Sequence, residues 1–487
     1  MALVCPFLPG LETTLCGRAR AATRQRMHTH AQRLGRVSLS QLERIFGALV
    51  PARLIQPTAS GHHSRRRLLS LPVMFWAFLA QTLSPRTSCR EALRKIIAWR
   101  ARHELPLLSA NTAAYCTARM RMPLATLVAV HDHVATALEQ RVTHDEHWHG
   151  HRVLIPDGTG VSMPDTPANQ KSFPQPSGQK KGCGFPVVKL VALYSLASGA
   201  LIAWAEGTLR QHDARLWRAL WQLLRPGDVI VGDRAFCSFA ILAALAAREV
   251  ACVVRLHQGR AKPLFKKGTR ECVVTWRKPQ RSHAWTKRDW HALPESCDVR
   301  IIKVVVAQTG FRTCALLLAT TLLDPVAYPA DDLAELYLRR WAVELFFRDI
   351  KTSLRMDVLS GKSPAMIRRE LCLFAIAYNL VRALMQKAAH TYALDLTRIS
   401  FKGTVDTIRQ WCATCADALA NPRLGPRLYA QLIHVIATDR VPLRPGRTEP
   451  RAVKRRPKSY KLLNKPRHLI HVPAHHGGVH CGSLVLQ

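Results

Sequence analysis

The chain has 487 residues, 48% of them hydrophobic, which is enough for a sizeable core and for several folding units of roughly 100–200 residues each. Lysine and arginine number 71 against 32 aspartates and glutamates, a formal charge of +39. Such an excess repels itself without a polyanion, so nucleic acid is the first partner class to consider and an anionic membrane surface the second. The 14 cysteines follow no framework spacing, which excludes a disulfide scaffold and fits a reducing cytoplasm.

Residues 1–60 lack the basic start of a signal peptide, and Pro6, Pro9 and Glu12 interrupt the first apolar positions. Ser38 and Ser40 can cap a helix through SLSQLERIFGALV, where Leu42, Ile45, Phe46 and Leu49 recur at helical spacing. This N-terminal helical module either contacts DNA or packs on the main body. Pro57 to Arg67 reads as a linker. Residues 61–148 form a helical basic region, with helices predicted over Val73–Leu83, Cys89–Arg100 and Thr112–Met122. Arg90, Arg94, Arg100, Arg119 and Arg121 on the last two are candidate phosphate contacts. His144, His147, His149 and His151, with no cysteine among them, read as a polar loop before a strand rather than as a metal tract.

Residues 149–256 carry the first part of an α/β domain. HRVLIPDGTGVSM gives a buried strand over Val153–Ile155 with Asp157 at its end, and Gly158 and Gly160 would let backbone approach a ligand closely. Taken alone, Asp157 is explained by its Asp-Gly turn pair, and its competitor Asp165 by the Pro-Asp turn of MPDTP. VVKLVALYSL and ALIAWAEGTL form a hairpin about Ser198-Gly199 that extends the first strand into a meander. Val187 to Ala205 is long enough to span a bilayer, but Lys189 and the turn make it strand-turn-strand. A helix from Asp213 to Leu224, a strand Val229–Val231 ending at Asp233, a helix in AILAALAAREV and a strand in ACVVRL complete the order βββαβαβ, a mixed sheet.

The stretch between Asp233 and Glu344 is longer than a strand-to-helix connection needs, so an inserted subdomain is expected. Residues 257–309, basic and rich in β-like runs (ECVVTW, DVRIIKVVVAQ), supply it and carry Trp276, Trp285 and Trp290. In residues 310–395 the sequence DDLAELYLRRWAVELFFRDIK predicts one helix from Asp331 to Lys351. Tyr337, Arg340, Glu344 and Lys351 then share an arc of about 60°, with Leu338, Ala342, Leu345, Phe346 and Ile350 as the core-facing stripe. In isolation Arg340 and Glu344 make an ordinary i,i+4 pair contributing ~0.2–0.5 kcal/mol. Joined to two strand-end aspartates, however, the glutamate completes a charge cluster that needs a cation. Hard oxygen ligands suit Mg²⁺ or Mn²⁺, and two such ions ~3.5–4 Å apart serve phosphodiester chemistry. After Lys351, SPAMIRRELCLFAIAYNLVRALMQKAA is an apolar helix for core or subunit packing. Residues 396–442 form a C-terminal helical region, whose Cys412-x2-Cys415 has no second pair to make a zinc site. Residues 443–487 are a basic, proline-rich tail, either solvated or bound along a DNA backbone.

PDGTG with Asp157, GDRAF with Asp233, and the spacing Tyr337-x2-Arg340-x3-Glu344-x6-Lys351 resemble the DDE transposases of bacterial insertion sequences, in the subgroup with a Tyr-Arg-Glu-Lys signature. The resemblance runs from roughly Ser70 to Arg467 and takes in SCREAL, GFPVVKL, YNLVR and KRRPKSY. It implies an RNase H-like core with a β-rich insertion and flanking helical regions. It also implies that Asp157, Asp233 and Glu344 are the catalytic ligands of two Mg²⁺ ions, or Mn²⁺ in their place. Tyr337, Arg340 and Lys351 would hold DNA phosphates near the cut end, flanked by Trp341, Phe347 and Arg348, and one insertion tryptophan would stack on a base. Arg348 could equally pair with Glu344. The implied activity is hydrolysis at the element ends followed by transfer of the 3′-OH into target DNA. The partners are the terminal inverted repeats and target DNA, held by a homodimer in the synaptic complex, in the cytoplasm at the nucleoid and away from membranes. The competing readings are an RNase H-like nuclease without strand transfer and a catalytically silent DNA-binding relative.

Overall fold

The structure is a computed structural model that describes residues 39–56, 68–84, 87–102, 104–257, 268–282, 284–305, 315–414 and 421–442, with a few isolated positions besides. The basic tail expected over 443–487, the linker 57–67 and most of the first 38 residues lie outside the described residues. Two compact units emerge. One gathers Met1–Ala118 and Asp406–His434, and the other Arg119–Val405 and Val435–Gln487.

The first unit is helical. α1 (Leu39–Phe46) buries Leu42, Ile45 and Phe46, the predicted stripe. α2 (Leu71–Leu83) opens on a proline in its first turn, where the missing N–H costs nothing, and is buried on almost every side. α3 (Cys89–Arg102) and the first part of α4 (Ala113–Arg121) complete this side, with Tyr115 Oη donating to Gln81 Oε1 at 2.9 Å. Arg90 and Arg94 are exposed, as a phosphate contact requires. Arg100 is not: it is 5% exposed and its guanidinium donates to the carbonyls of Pro106 (2.6 Å) and Leu68 (3.1 Å), which removes it from the candidate DNA contacts.

The second unit is built on an eight-stranded sheet. Its strands are β1 (Val153–Ser162), β2 (Val187–Ser195), β3 (Leu201–Thr208), β4 (Val229–Gly232), β5 (Ala251–Arg255), β6 (Glu271–Arg277), β7 (Ser296–Val305) and β8 (Ala315–Thr320), in the spatial order β3-β2-β1-β4-β5-β8-β7-β6. β1, β2 and β3 form the antiparallel meander, β1 pairs parallel with β4, and β4 parallel with β5. Short helices, α6 (Pro167–Ser172), α7 (Asp213–Arg218) and α8 (Phe239–Ala246), follow β1, β3 and β4. The first five strands with α7 and α8 give βββαβαβ, the RNase H-like arrangement. The residues expected as a separate insertion, 257–309, contribute β6, α9 (Lys287–His291) and β7, and β8 joins these strands antiparallel to β5 in the same sheet.

Alternation along the strands sorts the two faces. Leu154, Val191, Leu193, Ile230, Cys252 and Val254 look toward α7, α8 and a tryptophan cluster that includes Trp217, Trp221, Trp285 and Trp290. Trp285 and Trp290 are each 8% exposed and Trp276 is packed against the same cluster. All three insertion tryptophans thus have a core role. The other face is covered by α5 (Leu124–Glu139), by helices of the signature region and by α12 (Pro364–Thr391), whose tyrosine Tyr378 meets Tyr194 of β2 edge-on at 5.9 Å. α12 is long and apolar enough to cross a membrane by length and composition, but 89% of its apolar window is buried inside the fold. It is a core helix.

The segment YNLVR on α12 grips the β2–β3 hairpin. Tyr378 Oη donates to Gly199 O at 2.7 Å, and Arg382 donates to Ser198 O at 2.8 Å. Asn379 accepts from Leu201 N and donates to Leu201 O, both at 2.9 Å. Gly199 has φ +66°, and a side chain there would also strike the Arg382 guanidinium. At the N-terminal end of the same helix Glu370 is buried. It forms an ion pair with Arg119 (2.9 Å) and accepts from the backbone N–H groups of Ser360 and Gly361, so Arg119, too, is structural rather than a DNA contact. Asn379→Leu keeps the bulk but strands the buried Leu201 N–H, while Leu201 O keeps His131 Nε2 at 3.0 Å, and should cost about 1–3 kcal/mol of unfolding free energy in a denaturant titration. Unchanged stability would mean that Leu201 finds other partners.

Candidate active site

The predicted aspartates meet through strand register. Val153 lies opposite Val229 and Leu154 opposite Ile230; counting on three residues along both strands brings Asp157 opposite Asp233. Direct pairing stops at Leu154, just before Pro156, which has no N–H to continue a ladder. β1 itself does not end there. It runs on to Ser162, paired with β2 throughout, so Asp157 stands within the strand and not at its end as the apolar run suggested. What ends at that level is the seam between β1 and β4, and the register puts both aspartates on one face of the sheet there. Asp157 Oδ1 accepts from Gly158 N at 2.8 Å. Asp233 caps a short 3-10 turn, its Oδ1 accepting from Ala235 N at 2.7 Å. Each aspartate is thereby held by one oxygen.

Gly158 and Gly160 do not face an open ligand space. A Cβ on Gly158 would lie 3.2 Å from the Asp213 carboxylate, which Lys189 holds at 2.7 Å, and one on Gly160 would lie 3.3 Å from Val187 Cγ1. Asp165 takes a hydrogen bond from Gln170 Nε2 at 2.6 Å, in keeping with its turn role.

The signature segment is not one uniform helix. α10 (Ala330–Arg339) is separated from α11 (Ala342–Arg348) by a tightened joint, and a π turn follows over Asp349–Ser353. At the joint, Arg340 N bonds to Tyr337 O, Trp341 N to Leu338 O and Val343 N to Arg340 O, all three residues back instead of four. This rotates the two halves away from a single projection. The core-facing residues are Leu333, Leu336, Tyr337, Val343, Phe346 and Ile350, whereas Leu345, expected inward, is 48% exposed. Tyr337, expected on the open arc, is 4% exposed. Glu344 is exposed, and no described residue meets it in a hydrogen bond or ion pair. Arg348 does not take it: its nearest carboxylate is Asp349, at 3.9 Å.

Arg340 lies against two rings, 5.7 Å from the centre of Tyr337 and 5.5 Å from that of Trp341, and its buried Nε has no hydrogen-bond partner. Burial pushes the Tyr337 phenol up, against the opposing charges of Arg340 and Arg255. Lys351, in the π turn, donates to Thr159 Oγ1 and to Gly160 O, both at 3.0 Å. It therefore ties the signature segment to β1 two to three residues past Asp157. Next to it, Ser162 N bonds to Asp357 O and Leu359 N to Ser162 O, so the chain after the π turn is laid along the end of β1.

Electrostatics joins the pieces. Burial, with the negative charges of Asp233 and Glu344, pushes the Asp157 carboxyl up to about 6, while its bond to Gly158 N and the charge of Arg340 pull the other way. Asp157 thus senses both of the other predicted acids. Among the described residues no three of His, Cys, Asp or Glu are grouped tightly enough to form a ready-made metal site. The donor set is all carboxylate oxygen, and a neighbouring cation would relieve the raised Asp157.

Four participants escaped the sequence reading in these roles. Thr159 and the Gly160 carbonyl receive Lys351, a tertiary contact without a sequence signal. Asp349 is buried at 7% exposure, hidden behind the apolar residues beside it. Arg255 ends β5 as Asp233 follows β4, and the strand-end rule applied to ACVVRL would have found it.

Residues 148–380 match the transposase DDE domain family. The transposase InsG for insertion sequence element IS4 of Escherichia coli (strain K12) is 26% identical over 407 residues, 82% of this chain and 89% of that one. A probable transposase for insertion sequence element IS5377 of Geobacillus stearothermophilus is 36% identical over 72 residues, 15% of this chain and 19% of the relative. Among solved structures, the cryo-EM structure of a piggyBac transposase synaptic complex with hairpin DNA aligns with 84% of this chain and 85% of its own, at a TM-score of 0.42 and 8% identity.

Burial also pushes Asp349 up to about 6, against the charges of Arg382 and Arg348. A carboxyl raised on folding favours the native state at low pH and loses that advantage as pH rises through the folded value. Asp349→Asn should therefore melt above the parent at pH 8, by on the order of 2–3 kcal/mol, with the difference fading below about pH 4. A variant less stable than the parent at pH 8 would show that the arginines more than offset the burial.

Proposed function

We propose that this chain is a DDE transposase of an insertion sequence, and that Asp157, Asp233 and Glu344 are the carboxylates with which it cuts DNA at the ends of its own element and joins the freed 3′ ends to target DNA. The observation that supports the reading best is the register. It aligns Asp157 with Asp233 on the sheet face under α10 and α11, and the charges of Asp233 and Glu344 reach Asp157 there.

The residues fit a divalent cation of the Mg²⁺ or Mn²⁺ kind, since hard carboxylate oxygens and a strained acid are what such an ion neutralises. When bound, it supplies activation of the attacking oxygen and stabilisation of the leaving one. Asp157 and Asp233 are preset, each with one oxygen fixed by a backbone N–H and the other left for a ligand. Glu344 brings the third carboxylate from an exposed position, with no partner to break among the described residues. Arg340 and Tyr337 would serve as donors to phosphate oxygens, and Lys351 places an ammonium two to three residues past Asp157 along β1. The formal charge of +39 supplies the general attraction to the polyanion. The DNA partners are then the terminal inverted repeats of the element and the target, with two copies of the chain holding the two ends, in the cytoplasm where the nucleoid lies.

The test uses the full chain, a duplex copied from the sequence flanking its gene, and Mg²⁺. The parent should both cut and join. Glu344→Gln should bind the same duplex with unchanged affinity while cleavage falls at least about 10²–10³-fold. Cutting without joining would favour a plain nuclease, and a Glu344→Gln variant that cuts like the parent would remove Glu344 from the site.

A further inference from the structure

The register that aligns the two aspartates continues one strand further. β4 and β5 pair in parallel from Val229–Ala251 to Gly232–Val254, so the next pair is Asp233 beside Arg255. Asp157, Asp233 and Arg255 form one row across β1, β4 and β5, on the same face, with about 4.8 Å between neighbouring strands. Arg255 is half-buried at the last position of its strand. No described residue takes its guanidinium in a hydrogen bond or ion pair. Its charge is felt by the Tyr337 phenol, so the guanidinium lies on the signature-helix side of the sheet. Beyond the row, along β1, Lys351 is fixed at Thr159 and Gly160. A lysine thus lies past Asp157 along its strand, and an arginine past Asp233 across the strands.

A half-buried guanidinium without an anion has lost hydration and gained no ion pair, which favours the folded chain only if a ligand fills the fork. The shape of that fork matches the two oxygens of a phosphate. We propose that Arg255 binds a backbone phosphate of the DNA strand, a different phosphate from the one beside Lys351, so that the strand crosses the sheet rim from β1 toward β5 with the scissile bond between the two cations. This rests on the transposase reading and adds to it a fixed direction for the strand and a contact outside the Tyr-Arg-Glu-Lys set.

The experiment measures binding of the full chain to the flanking-sequence duplex, either unmodified or with one neutral methylphosphonate linkage at each successive position near the end. The parent should lose affinity at two separate linkages. Arg255→Ala should become indifferent to one of them and Lys351→Ala to the other, and Arg255→Ala should lower the slope of log affinity against log salt by about 0.9. Arg255→Lys should restore the slope but not the full affinity, and Arg255→Met should melt no lower than the parent. The inference is overturned if Arg255→Ala keeps the parental slope, if both variants become indifferent to the same linkage, or if Arg255→Met unfolds, which would make the arginine structural. A parent that does not prefer the flanking duplex to a scrambled one would overturn the transposase reading, and this inference with it.

Discussion

The parallel seam between β1 and β4 decides where Asp157 and Asp233 stand. It is pinned at Val153–Val229 and Leu154–Ile230, and it opens where Pro156 can no longer donate. On the other edge of β1 the ladder with β2 continues to Ser162, so the strand stays straight past the opening. A polar side chain three residues beyond the last pair can then face its counterpart on β4 while its own backbone remains fully bonded. The seam between β4 and β5 repeats the arrangement one strand over and sets Arg255 beside Asp233. Rigid strands therefore hold the row, and only Glu344 comes from a helix.

That division of labour suits the electrostatics. Asp157 is half-buried near like charges and raised to about 6, a cost that the sheet imposes and that a cation would relieve. Glu344 is exposed, and no described residue pairs with it, so it can approach without losing a partner. Holding α11 in place falls to contacts on its far side: Phe346 and Phe347 meet Tyr194 of β2, and Arg382 of α12 lies 5.2 Å above the Phe346 ring. Arg382 also grips the hairpin turn, so one buried arginine couples the signature helix to the meander that carries Asp157.

Much of this was legible in the sequence. The strand order, the hairpin at Ser198-Gly199 and both aspartates followed from apolar runs and turn residues, because these signals are local. The arc of the signature helix was legible only in part. Projection at a constant angle assumes bonding four residues back, and the tightened joint at Arg340–Trp341 breaks that assumption, burying Tyr337 and exposing Leu345. The end of β1 was misplaced because Pro156, Gly158 and Gly160 mask a strand that tertiary pairing with β2 sustains. Arg100 and Arg119 read as surface cations, since nothing local shows that carbonyls or Glu370 await them inside the fold. Lys351 and Thr159 are far apart along the chain, and only the fold brings them together.

The central proposal is that Asp157, Asp233 and Glu344 close around a site for two divalent ions. Its most direct test is an anomalous-scattering map from crystals of the chain with its end DNA and Mn²⁺. The account predicts Mn²⁺ density in contact with carboxylate oxygens of Asp157 and Asp233, with Glu344 turned inward to complete the site. Mn²⁺ bound elsewhere, or bound with Glu344 still facing solvent, would contradict it.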